Sequence, residues 1–271
     1  MTFDSNLAWK QASASIGANR EVLLALAGVF FVLPSLAFAL FFQQPQPVAG
    51  QSQAKMMAMM QNYYLTALPF IIPMALVQAA GTLAMLALFT DRSRPTVGEA
   101  IRQGAAGVLP YIAAQLLLGL GIGLAGGTML ALTAVTGVQA LVAMGIALVV
   151  AGAIYVAIKT SLVAPLVIVE RERNPVTALQ RSWRLTKGNS FRIGLFYFLL
   201  LLAFIIISSV VMMIVGLLLA ALAGPEGTKI GSAIASSVLG GVMTLYFAAA
   251  MAAVHRQLAG PSPEVDSAAF D

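Results

Sequence analysis

This chain predicts an all-helical protein that crosses a membrane six times, and three observations support that. Its 271 residues are 60% hydrophobic and only 9% charged, whereas a soluble domain carries roughly 25% charged residues. The charges are segregated, leaving charge-free runs at 22–54, 56–90, 103–158, 193–225 and 230–254. These runs lack the strict alternation of a barrel strand, and lipid offers no partner for unpaired backbone groups, so helices are the expected form.

About 20 apolar residues suffice to cross roughly 30 Å of hydrocarbon at about 1.5 Å per residue. On that measure span one is 21–42 and span two 64–90. The run at 103–158 is too long for one helix and turns best at Thr133 to Gln139, giving spans 108–132 and 140–160. Spans five and six follow at 192–222 and 230–254, so that 1–260 forms one integral membrane domain and 261–271 a short tail. A cleavable signal peptide is not expected. The first apolar run starts only at Val22 and exceeds a typical signal core, although Ala37-Phe38-Ala39 resembles a cleavage site in isolation.

Orientation follows from Lys and Arg. One side of the bilayer receives Lys10, Arg20, Arg92, Arg94, Arg102, Lys159, Arg171, Arg173, Arg181, Arg184, Lys187, Arg192 and Arg256, and the other only Lys55 and Lys229. Both termini are therefore expected in the cytoplasm. The net charge of +5 acts mainly as an orientation signal, and no solvated basic domain is present that would engage nucleic acid. With no Cys in the chain, disulfides, thiolate metal ligands and Cys catalysis are excluded.

A repeat runs through the chain. Asp91-Arg92-Ser93-Arg94-Pro95 precedes TVGEAIRQG, and Glu170-Arg171-Glu172-Arg173-Asn174-Pro175 precedes VTALQRSW. Both read acidic, Arg, any residue, Arg, then Pro, a short helix and another span. Ala8 to Asn19 holds the equivalent place before span one. The expected architecture is thus three units, each a short amphipathic surface helix followed by two spans.

At about 100° per residue, Lys187, Gln180, Arg184, Thr177 and Arg181 share one sector of helix 175–187, with Val176, Leu179, Trp183, Ala178 and Leu185 outside it. Asn174 suits the N-cap, Pro175 the first turn and Lys187-Gly188-Asn189 the end. In 97–107, Val97, Ile101 and Gly104 oppose Glu99, Arg102 and Gln103, and Thr96 with Glu99 reads as a capping box. The N-terminal helix sets Trp9, Ala12 and Ile16 on one side. Basic residues opposite Trp and aliphatics suit an interfacial helix, and connectors packed on the bundle are the alternative.

The stretch APLVIVERERNPVTALQRSWRLTKGNSFRIG resembles a bacterial group of six-span inner-membrane proteins, which includes the membrane domain attached to some glycerophosphodiester phosphodiesterases. Pro165, Glu170, the pair Ala178-Leu179, Ser182 and Lys187-Gly188 carry the resemblance. It implies six helices and a bacterial inner membrane, with no activity to carry over. The soluble catalytic barrel of those phosphodiesterases is not expected here.

Lys159, Gln78 and Gln115 form a candidate intramembrane polar site. Lys159 has two alternatives: it snorkels toward the headgroups, or span four ends at its position. Gly119, Gly123 and Gly127 make two GxxxG steps, which usually mean close helix packing. Met56, Met57, Met59 and Met60 offer adaptable apolar contact, because no His or Cys nearby supports a metal site. His255, the only histidine, is expected at the interface beside Arg256. With no triad, phosphate loop, dinucleotide fingerprint or zinc motif, no catalytic residue, metal or cofactor is expected.

The leading functional expectation is a non-enzymatic inner-membrane protein that contacts anionic lipid through Arg181, Arg184, Lys187 and Trp183. It would support envelope organisation or a protein partner that the residues do not specify. The alternative is a transporter or permease for a small or amphipathic solute.

Overall fold

A computed structural model describes residues 2–42, 45, 50–90 and 96–259. Within them lie α1 (Ser5–Ala18), α2 (Arg20–Ala27), a π-helical turn (Gly28–Val32), α3 (Leu33–Phe41), α4 (Gln53–Thr90) and α5 (Val97–Val135). There follow α6 (Gln139–Thr160), α7 (Val163–Val169), α8 (Pro175–Leu185), α9 (Ser190–Leu222) and α10 (Gly224–Ala259). Six helical segments are long and apolar enough to cross a membrane: α2 through α3, α4, α5, α6 through α7, α9 and α10. The first copy of the repeat motif, Asp91 to Pro95 with Arg92 and Arg94, lies outside the described residues, as does the tail 261–271.

Between helices in lipid the hydrophobic effect is weak, so small residues that let backbones approach hold such bundles together. Here they gather at one end. α10 touches α1, the π turn, α3, α4, α7 and α9, and it buries Ala248, Ala249, Ala250, Ala252 and Ala253. In the same core stand the buried Leu83, Met85 and Leu86 of α4, with Leu162, Ala164 and Ile193. The opposite character appears in α9, where nothing in the most apolar 18-residue window is buried.

This packed end carries most of the described basic residues, Lys55 and Lys229 lying near the opposite ends of α4 and α10. Gln257 at the end of α10 and Asp4 before α1 exchange two hydrogen bonds: the Asp4 N–H donates to Gln257 Oε1 at 3.0 Å, and Gln257 Nε2 donates to the Asp4 carbonyl at 3.1 Å. The two ends of the described chain therefore meet on one side of the bundle. Asp4 also caps α1 by accepting from the Leu7 N–H, and Trp9 stacks on Tyr246 of α10.

The three short helices differ in how they join the spans. α1 ends at Asn19, and α8 ends where Gly188 adopts φ +84°, a conformation Gly reaches without strain. Residues 97–107, expected as a separate helix, are instead the first turns of the unbroken 39-residue α5. The Thr96 and Glu99 capping box starts it as expected. Within the continuous helix Gly104 lets α5 approach α4 closely: a Cβ there would lie 2.6 Å from the Ala80 carbonyl oxygen and 2.8 Å from the Ala84 nitrogen. At about 1.5 Å per residue α5 is about 58 Å long, well beyond the thickness of a bilayer core.

Candidate functional site at the basic end

The span made of α6 and α7 breaks at Ser161-Leu162. Pro165 lacks the N–H that would bond the Ser161 carbonyl, so the helix cannot continue regularly there. The break also frees the Lys159 carbonyl and the Leu162 N–H, and buried groups of this kind need partners. Ser182 of α8 supplies both. Its hydroxyl donates to the Lys159 oxygen at 2.8 Å and accepts from the Leu162 nitrogen at 3.2 Å, while fully buried. Ala178 and Thr186, one turn to either side, are also fully buried. The inner face of α8 is thus the small stripe Ala178, Ser182 and Thr186. Val176 and Trp183 remain exposed, at 49% and 41%.

Lys159 is 4% exposed. Its Nζ lies 5.7 Å from the Tyr155 ring centroid and 5.5 Å from that of Trp183, and the two rings meet edge to face. Among the described residues it has no ion pair, so the aromatic faces take the part of an anion.

Glu170 caps the end of α7, followed by Arg171 at φ +52°. Its carboxylate pairs with Arg181 of α8, and its Oε1 accepts from Nε2 of the buried His255 on α10 at 3.3 Å. Three elements are tied at one carboxylate. The hydrogen bond from His255 holds the Glu170 pKa below its ordinary value; burial opposes this, and the Arg181 charge adds to the lowering. Nearby, the Arg173 guanidinium donates to the Ala106 carbonyl of α5. Pro110, four residues on, has no N–H to fill that acceptor.

The other sequence candidates stand apart. Gln78 donates to Ser35 at 3.3 Å, tying α4 to α3. Gln115 donates to the Tyr111 hydroxyl at 3.0 Å and lines a cavity of about 380 Å³, which neither Gln78 nor Lys159 borders. A Cβ on Gly119, Gly123 or Gly127 would meet nothing within 4 Å. Close contacts within the chain belong instead to other glycines, among them Gly81, Gly104, Gly126, Gly194 and Gly241. Met59 accepts from Gln51 near the start of α4, and Met57 is exposed. Of the lipid-contacting candidates, Arg184, Lys187 and Trp183 are exposed, whereas Arg181 is engaged by Glu170. The sequence offered no signal for the buried role of His255, because its partner lies 85 residues away. Ser182 could have been suspected, since it is a polar residue among the apolar positions of α8.

The fold and site define a multi-pass integral membrane protein with its polar interactions concentrated at one end. Residues 133–256 match the family described as the membrane domain of glycerophosphoryl diester phosphodiesterase, and over this stretch the chain is similar to that membrane-domain family. The match takes in Lys159, Glu170, Arg181, Ser182 and His255. No curated protein and no solved structure matches the chain.

Proposed function

We propose that the protein is a non-enzymatic component of a bacterial inner membrane, with both termini in the cytoplasm. In this reading its basic end gathers anionic phospholipid around α8 and so supports envelope organisation or a partner protein. The observation that carries the proposal is the division of labour on α8. Ala178, Ser182 and Thr186 bind the helix to the bundle, which leaves Trp183, Arg184 and Lys187 exposed together. Arg192 at the start of α9 is also exposed. An exposed Trp beside basic residues suits a headgroup layer, where each cation near an anionic leaflet contributes about 1 kcal/mol.

Arg181 belongs to this group by sequence, but its charge is matched by Glu170. The lipid contact therefore falls to Arg184, Lys187 and Arg192. Transport is the weaker reading, because Gln78 and Lys159 lie off the cavity that Gln115 lines. Loss of function in Lys159→Met at unchanged protein level would revive it.

Native mass spectrometry of the purified protein tests the proposal. The combined variant Arg184→Gln, Lys187→Gln and Arg192→Gln should lose anionic phospholipid that the parent retains, while Arg181→Gln should retain it. Equal retention by the triple variant and the parent would reject the lipid contact and leave α8 as a connector.

A further inference from the structure

The cavity of about 380 Å³ lies where α5, α6, α7 and α10 meet, beside the helix break. Its size falls within the roughly 300–1,000 Å³ usual for small-molecule sites. Every lining residue is uncharged. The polar ones are Tyr111, Gln115, Thr160 and Ser161, and apolar side chains such as Ile122 and Met251 complete the wall.

The hydrogen-bonding capacity is only partly used. Thr160 donates to the Val156 carbonyl at 2.7 Å, so its hydroxyl oxygen still has acceptor capacity, while Ser161 donates to the Ile158 carbonyl at 2.8 Å and lies beside the buried Tyr197 hydroxyl. Gln115 donates one amide hydrogen to Tyr111, leaving its carbonyl and second hydrogen to serve an occupant. Gln115 and Gly119 are exposed at the rim, and the space beside Gly119 is open. Gln115 lies seven residues, about 10 Å, inside the expected edge of span three at 108. An exposed amide at that depth is costly unless a polar group meets it.

We infer that this cavity is a binding site for a membrane lipid with an uncharged, hydroxyl-bearing glycerol head, of the diacylglycerol class. The second amide hydrogen of Gln115 and the Tyr111 hydroxyl donate to the ester oxygens, the Gln115 carbonyl and the Thr160 hydroxyl oxygen accept from the lipid hydroxyl, and the apolar wall takes the start of an acyl chain. A phosphodiester is disfavoured because no cation lines the cavity: the Lys159 ammonium sits over Tyr155 and Trp183 instead. This site is separate from the exposed basic face of α8.

The test uses the full-length protein in phosphatidylcholine vesicles containing a diacylglycerol with a diazirine in one acyl chain. A matching diazirine phosphatidylglycerol serves in parallel vesicles. Light should label peptides from 111–122 and 156–164 with the diacylglycerol probe. Gly119→Leu, which fills open space, should cut that labelling about tenfold at unchanged helix content and melting temperature. Gln115→Leu, at an exposed position, should reduce it independently. Three results would overturn the inference: undiminished labelling in both variants, equal labelling of these peptides by phosphatidylglycerol, or cross-links joining two copies of the chain through the Gly119 face in place of lipid adducts.

Discussion

The hydroxyl of Ser182 closes the gap that the helix break opens at Lys159, donating to its carbonyl oxygen at 2.8 Å and accepting from Leu162 at 3.2 Å. Ser182→Ala leaves the buried Leu162 N–H without a partner and the Lys159 carbonyl with only the longer bond from the Thr186 hydroxyl at 3.4 Å, and such a loss costs about 1–3 kcal/mol. The variant should melt at a lower temperature in detergent than the parent. An unchanged melting temperature would mean that the break needs no partner from α8.

A second backbone debt is met by Arg173, which serves the Ala106 carbonyl that Pro110 leaves without a helical donor. Because Arg173 is exposed, Arg173→Met should cost only about 0.5–1.5 kcal/mol. Pro110→Ala restores the missing N–H, so the same Arg173 substitution should cost less in that background. A double-mutant cycle should give a coupling of at least about 0.5 kcal/mol. Additive effects would show that the two residues do not communicate.

Glu170 makes the basic end sensitive to acid. Its folded pKa lies below the ordinary 4.5, chiefly through the hydrogen bond from His255. The contribution to stability is therefore complete above the ordinary value and disappears as pH falls through the lowered one. Glu170→Gln should be less stable than the parent at neutral pH, and the difference should shrink below about pH 4.5. Melting curves across this range that stay parallel would contradict the assignment.

Two glycines of α5 should respond in opposite ways. A Cβ at Gly104 would press on the Ala80 carbonyl and the Ala84 nitrogen; Gly104→Ala should cost about 1–3 kcal/mol through overpacking, and Gly104→Leu should prevent the docking of α4 on α5. Gly119→Leu should fold normally. Size-exclusion profiles and melting temperatures in detergent would decide, and similar behaviour of the two leucine variants would contradict the packing described.

Much of the architecture could be read directly from the chain. The five charge-free runs, with the third split at 133–139, match the six helical segments long and apolar enough to cross a membrane, because span length and backbone satisfaction in lipid depend on local composition alone. The Asn174 cap, the Pro175 start and the Gly188 stop of α8 were equally local, as was the capping box of α5. What remained hidden depended on which helices meet. The close approach of Gly104 to Ala80 and Ala84, within a helix that runs unbroken through 97–107, was one such feature. The buried face of α8 runs through Ala178 and Ser182 rather than Trp183, because the α6–α7 break lies opposite them. The carboxylate of Glu170 finds Arg181 nearby but His255 only across the bundle, 85 residues on. Composition sets how each segment meets lipid, while pairing between distant segments depends on three-dimensional approach, which periodicity along one helix does not encode.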